Sequence, residues 1–216
     1  MELTRICVYC GTTPPRDPAV EKEIRAFGAE LAQRGIGLVF GGSSLGMMGV
    51  LADEVISAGG KVIGVIPEAL VGREAAHKKV TELKVVNTMH DRDQKMFDLG
   101  DAFVAFPGGF GTLDQVLEMI TWKQLGIHGK PVVIANLGGY FNPLLQQFEN
   151  AIRLGYAKPE HRILYGVAES TKAIFTFLEG AQMVRTNIRR VSNLRNGQIL
   201  RFARLTELFT NSGHVE

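Results

Sequence analysis

The sequence predicts an α/β fold, a doubly wound parallel sheet with helices on both faces. Three observations predict it. Short apolar runs alternate with helical patterns along most of the chain. Two of those runs, ending at Phe40 and Phe106, pass straight into glycine turns that open a helix. The 216 residues are 45% hydrophobic and 21% charged, which fits a soluble globular chain with a full core.

Thr4 to Cys10 is the first strand. Asp17 caps a helix with Pro18 at its first position, running to Arg34. Gly37 to Phe40 is a short strand that ends in Gly41-Gly42-Ser43-Ser44-Leu45-Gly46-Met47-Met48-Gly49. The next helix reaches about Ala58 and stops at Gly59-Gly60. Lys61 to Ile66 is a buried strand closed by Pro67, and residues 68 to 80 read as an irregular loop. Thr81 to Val86 alternates weakly, as a strand does, and Asp91 to Leu99 is a helix that begins with acidic residues. Ala102 to Phe106 is a buried strand. The turn after it leads to a helix carrying the pattern Leu113 to Leu125. Pro131 to Asn136 is a further strand, and Asn142-Pro143 start a helix to about Leu154. Val167 to Glu169 is a short strand, and Ser170 caps a helix to Leu178. Strands joined by helical crossovers make a parallel sheet, whose ligands bind at the carboxyl ends of the strands. Both glycine turns fall at that edge. Residues 1–180 form the domain, and 181–216 are a basic, helical C-terminal extension.

The net charge is +2. Residues 181–216 hold six Arg and two Glu, a local +4, which leaves −2 for the rest. A solvated terminal helix accounts for this better than nucleic-acid binding. No apolar stretch reaches ~18 residues, so no membrane span is expected. The start, Met-Glu-Leu-Thr-Arg, has no signal-peptide layout, and a cytoplasmic location is expected. Cys7 and Cys10 form a C-x-x-C inside a strand, where residues three apart face opposite ways about 10 Å apart. Two buried thiols are expected there, not a redox pair.

The second glycine turn reads Pro107-Gly108-Gly109-Phe110-Gly111-Thr112-Leu113-Asp114-Gln115. A strand, a glycine turn and a helix N-terminus make a backbone cradle for an anion. Neither turn carries G-x-x-x-x-G-K-[ST], and neither matches the dinucleotide pattern after the first strand. A phosphate or nucleoside phosphate held by backbone N–H groups remains, with Thr112 and either Ser43 or Ser44 as hydroxyl donors. One such turn alone reads as a steric device; two in one sheet point to a ligand. In Met89-His90-Asp91-Arg92-Asp93-Gln94-Lys95-Met96, Arg92 is able to fork onto an anion or stack on a base. His90 reads as structural. Glu74 lies in the loop after a strand end, where site residues gather. Trp122 and Met119 read as core, and so by default does Phe110.

These segments together resemble the LONELY GUY (LOG) family of cytokinin riboside 5′-monophosphate phosphoribohydrolases, long labelled "possible lysine decarboxylase". The family pattern P-G-G-x-G-T-x-x-E is matched from Pro107 to Asp114. Ile120-Thr121-Trp122-Lys123-Gln124-Leu125-Gly126-Ile127-His128, Cys10-Gly11, the Gly41–Gly49 turn and Met89-His90-x-Arg92 are also close to it. The resemblance covers roughly residues 4 to 178. It implies a Rossmann-like fold, a homodimer, and cleavage of the N-glycosidic bond of adenine-type nucleoside 5′-monophosphates, cytokinin riboside monophosphates or AMP. The products are free base and ribose 5-phosphate, and no metal or redox cofactor is needed. It implies that Gly108, Gly109, Phe110, Gly111 and Thr112 hold the 5′-phosphate. Gly42, Ser44, Glu74, Asp93, Asp114 and Thr121 are further substrate-binding positions, and Arg92 acts beside base and ribose with the residue at 115.

The chain departs from the family at three places. The motif-ending glutamate is Gln115, the lysine after the arginine is Asp93, and the third glycine of the first turn is Ser43. A carboxylate stabilises an oxocarbenium-like sugar and takes a proton from water; glutamine does neither. Losing a general base lowers a rate by ~10²–10⁴. Three readings follow: an active enzyme whose carboxylate comes from Asp93 or Asp114, a nucleotide-binding protein that does not cleave, or a change made to trap substrate.

Overall fold

The computed structural model describes residues 3–73 and 75–192. Glu74 and residues 193–216, most of the expected C-terminal extension, lie outside the described residues. The sheet and its helices form one compact unit, Glu2–Leu178. A second unit begins at Glu179, and its described part is the end of a helix.

Seven parallel strands build the sheet: β1 (Arg5–Tyr9), β2 (Gly37–Phe40), β3 (Val62–Pro67), β4 (Glu82–Val86), β5 (Ala102–Ala105), β6 (Val132–Ala135) and β7 (Gly166–Ala168). Their order is β4-β3-β2-β1-β5-β6-β7. The helices are α1 (Pro18–Gln33), α2 (Gly46–Ser57), α3 (Met89–Leu99), α4 (Phe110–Gln124), α5 (Asn142–Arg153) and α6 (Thr171–Ser192). The chain winds from β1 outward to β4, then returns to lay β5 on the other side of β1. The fold is therefore Rossmann-like and doubly wound, with its switch point between β1 and β5.

Alternation along the strands sets up two cores. Ile6 and Val8 of β1 pack with α1, α2 and α6 through Ile24, Phe27, Leu51, Val55, Ile174 and Leu178. Cys7 and Tyr9 face the opposite way and pack with Met96 of α3, and Val116 and Met119 of α4. Central strands buried on both faces are apolar throughout, as β2, β5 and β6 are, and as β1 is after Arg5. Cys7 and Cys10 join opposite cores, and neither is in a disulfide. Burial pushes each thiol up to about 12, far from the thiolate range that reactivity needs.

Asp17 caps α1 as expected, its carboxylate accepting the Ala19 N–H at 2.9 Å. α3 starts two residues earlier than its acidic run implied, because Thr88 and Asp91 close a capping box. Among its described residues, the β3–β4 crossover holds a 3-10 turn at Glu68–Leu70 and no α-helix. It is stapled to the first glycine turn. Ser43 pairs with Ala76, the Ser44 N–H donates to the Ala75 carbonyl at 2.9 Å, and the His77 N–H donates to the Gly42 carbonyl at 2.9 Å. Among the described residues no helix is long and apolar enough to cross a membrane.

Candidate functional site

The carboxyl ends of β1, β2 and β5 meet at the switch point. Gly108 follows β5 and abuts the segment after β1: a Cβ on it would lie 2.9 Å from the Gly11 nitrogen and 2.2 Å from Thr112 Oγ1. Gly46, at φ +54°, passes so close to Thr12 that a Cβ would come within 2.2 Å of its carbonyl carbon. These glycines let three backbone segments converge, which no other residue permits.

Gly109 and Gly111 are different. A Cβ on either would meet nothing within 4 Å, and neither has a positive φ. Packing and backbone conformation leave both positions free to carry a side chain, so the open space beside them is available to a ligand. Gly109 is the N-cap of α4 and no side chain caps the helix. The first N–H groups of a helix lack partners within it, and its N-terminus carries partial positive charge. Phe110, at the first helical position, is 92% exposed.

α3 ties the two glycine turns together. Arg92 is 5% exposed, and its Nη2 donates to the Gly41 carbonyl at 3.1 Å. Its Nη1 lies 3.8 Å from Met89 Sδ, and its Nε is buried with no hydrogen-bond partner. A buried guanidinium with an unused donor is set for an anion. The neighbouring Asp93 faces the other way, toward α4. There Gln115 Nε2 donates to Asp93 Oδ1 at 2.7 Å. Both side chains are buried, Asp93 at 9% and Gln115 at 6% exposure. Burial raises the Asp93 carboxyl above the usual range; the Gln115 hydrogen bond and the Arg92 charge act against that, while Asp114 adds to it. Glu118, one turn along α4, is raised by its own burial and then by Asp93 and Asp114.

Of the expected site residues, Gly42, Arg92, Asp93, Gly108, Gly109, Phe110, Gly111, Thr112, Asp114 and Gln115 sit on the two turns or on the first two turns of α3 and α4. Asp114 is exposed and Thr112 buried. Ser44 sits there as well, and its hydroxyl donates to the Ala75 carbonyl at 2.5 Å. Thr121 does not join the group. It lies roughly 16 Å along α4 from Phe110 at 1.5 Å per residue, and its hydroxyl donates to the Leu117 carbonyl. Glu74 is outside the described residues. Its neighbour Ala75 has φ +45°, in the left-handed region a non-glycine residue rarely adopts. Ser43, where the family has glycine, closes the first turn by accepting the Leu45 N–H at 3.1 Å.

Two contributors lie outside the motifs. Tyr140 donates its hydroxyl to the Gly108 carbonyl at 2.5 Å, bracing the second turn from the end of β6. Asn136 holds the segment carrying that tyrosine by accepting the Phe141 N–H at 2.7 Å. The signal was a third strand-to-glycine passage, Asn136-Leu137-Gly138-Gly139.

Comparison with known proteins shows the family and the fold. The profile of the family described as "Possible lysine decarboxylase" matches residues 48–178. The chain is 43% identical to the cytokinin riboside 5′-monophosphate phosphoribohydrolase LOG1 of Arabidopsis thaliana over 178 residues, 82% of this chain and 84% of that one. It is 46% identical over 158 residues to the probable enzyme of the same name, LOGL1, of Oryza sativa subsp. japonica, covering 73% of this chain and 71% of that one. The chain belongs to the LONELY GUY (LOG) family. The fold is also shared with the molybdenum cofactor carrier protein of Chlamydomonas reinhardtii, at a TM-score of 0.62 and 23% identity over 84% of this chain and 99% of that one. The molybdenum cofactor binding protein of Rippkaea orientalis superimposes with a TM-score of 0.62 and 21% identity, covering 83% of this chain and 98% of that one.

Proposed function

We propose that this protein hydrolyses the N-glycosidic bond of adenine-type nucleoside 5′-monophosphates, cytokinin riboside monophosphates and AMP, to free base and ribose 5-phosphate. One observation carries the reading: Arg92 is buried with an unused Nε donor against the first glycine turn, and the second turn opens an uncapped helix beside free space. The 5′-phosphate sits at the α4 N-terminus, on backbone N–H groups from Gly109 to Gly111. Arg92 lies beside the ribose and base and stabilises the negative charge that collects on the departing base as the bond breaks. Phe110 offers an exposed ring on which a base stacks. Gln115 takes no proton from water, so by itself it leaves the rate ~10²–10⁴ below that of a site with a general base. The names of the LOG relatives support the substrate class.

We further propose a cytoplasmic homodimer whose domain is residues 1–180 with a basic C-terminal extension. Exposed Leu117, Leu125 and Ile127, on α4 and just after it, supply apolar surface for a second copy.

The test incubates the protein with AMP and with isopentenyladenosine monophosphate and follows free base by chromatography. Release of base with equimolar ribose 5-phosphate is expected. AMP binding by calorimetry without release from either nucleotide overturns the enzymatic reading and leaves a nucleotide-binding protein.

A further inference from the structure

Asp93 and Gln115 are 22 positions apart in the chain, yet they share a 2.7 Å hydrogen bond between the second turns of two helices. The family's pattern has lysine and glutamate at these positions. Both residues have changed, and they touch. The carboxylate has crossed the gap from α4 to α3, and an amide faces it instead of an ammonium. A lysine–glutamate pair is neutral; an aspartate–glutamine pair carries one negative charge. A buried carboxylate facing an amide is costly as a structural device, because an amide offsets little of the lost hydration. A neutral Asn accepts the same hydrogen bond at no such cost. Beside Arg92 and near two helix N-termini, the charge serves where positive charge develops on the substrate.

We propose that Asp93 is the catalytic carboxylate of this chain and that Gln115 is the residue that positions it. The proposal rests on the phosphoribohydrolase reading. In the step, a water oxygen forms a bond to C1′ as the C1′–N bond breaks. The electron pair of the broken bond leaves on the base nitrogen. The water proton passes to the Asp93 carboxylate, and solvent carries it from there to the departed base, which resets the site. Before the proton moves, the ionised carboxylate stabilises the cationic sugar. The groups that bear on Asp93 are Arg92 and His90 from α3, Asp114, Gln115 and Glu118 from α4, and Cys7 and Tyr9 from β1. The balance leaves its carboxyl raised, closer to the working range of a general base.

The experiment measures kcat, KM and their pH profiles for base release from AMP and isopentenyladenosine monophosphate, with a melt and AMP binding as folding controls. Asp93→Asn is expected to lower kcat by ~10²–10⁴ with KM and the melt nearly unchanged. Gln115→Glu sets two carboxylates in contact, only one of which ionises, and is expected to lower kcat as well. Asp93→Lys with Gln115→Glu rebuilds the family's pair and is expected to return kcat to within ~10-fold of the parent. That recovery survives even if one single variant folds poorly. Gln115→Met removes the hydrogen bond that lowers the Asp93 pKa, so the acid limb of kcat moves to higher pH, which a merely structural glutamine would not cause. Full kcat in Asp93→Asn, or an acid limb unmoved in Gln115→Met, overturns the assignment while base release by the parent keeps the reading of function. No release by the parent from either nucleotide overturns both.

Discussion

Gly41→Ala is the sharpest single perturbation of the site. A Cβ built on Gly41 lies 2.0 Å from Arg92 Nη2, 3.1 Å from its Cζ and 3.0 Å from Met48 Cε. Ordinary contact begins at 3.4 Å, so the guanidinium tip must retreat by about 1.4 Å. That breaks its 3.1 Å hydrogen bond to the Gly41 carbonyl. Gly41 has no positive φ, so alanine brings no backbone strain. A displacement of ~1 Å at a reacting centre costs about 10²-fold, and loss of one preorganised donor costs ~10²–10³ in kcat. The expected loss in kcat/KM is therefore ~10²–10³, about 2.7–4 kcal/mol in the transition state. The fold loses much less. Arg92 is the flexible end of a long side chain, and one lost hydrogen bond costs ~1–2 kcal/mol, a fall of roughly 2–8 °C in Tm for a chain of this size. Steady-state release of base and a thermal melt on the same sample separate the two effects. Activity within threefold of the parent, in a folded Gly41→Ala protein, refutes the placement of Arg92 in the reaction.

Gly109→Ala and Gly111→Ala are expected to leave Tm unchanged or slightly higher, since neither Cβ meets anything, yet to raise the KM for AMP about tenfold or more; unchanged KM removes the phosphate from the α4 N-terminus. Tyr140→Phe loses its hydrogen bond to the Gly108 carbonyl and is expected to cost ~0.5–1.5 kcal/mol by denaturant titration; no loss places that tyrosine outside the support of the turn. Cys7 and Cys10 are expected to resist a disulfide reagent at neutral pH until the chain is unfolded, and rapid native labelling contradicts their burial. Their thiols stay protonated in the fold up to about 12 against 9.0 for an ordinary cysteine. Stability is therefore full below pH 9 and lost as pH rises toward 12, of the order of 4 kcal/mol for each thiol. Cys7→Ala with Cys10→Ala should flatten that alkaline limb, as measured by urea titration across the range.

Local chemistry was legible where a single segment decides it. Asp17-Pro18 announced the start of α1, and unbroken apolar runs announced strands buried on both faces. The glycine turns were legible as backbone cradles, but not which glycines serve the fold. Gly108 and Gly46 are needed because backbone from elsewhere passes close by, whereas Gly109 and Gly111 face open space. Only three-dimensional proximity separates those cases. The Ser44 hydroxyl reads in the sequence as a free donor, and its hydrogen bond to a carbonyl 31 positions away is visible only in the fold. Tyr140 reaches a carbonyl 32 positions upstream, so no local pattern reports it. Departures at 93 and 115 were each visible in the sequence; that they form one hydrogen-bonded unit depends on how α3 and α4 pack.

Arg92 and Asp93 are consecutive residues of one helix, so their directions differ by about 100° whatever else changes. That angle sends one toward the end of β2 and the other toward α4. Across the gap facing α4, Asp93 meets Gln115 in a 2.7 Å hydrogen bond. The two positions therefore act as one unit, and a change at either alters the partner that the other meets.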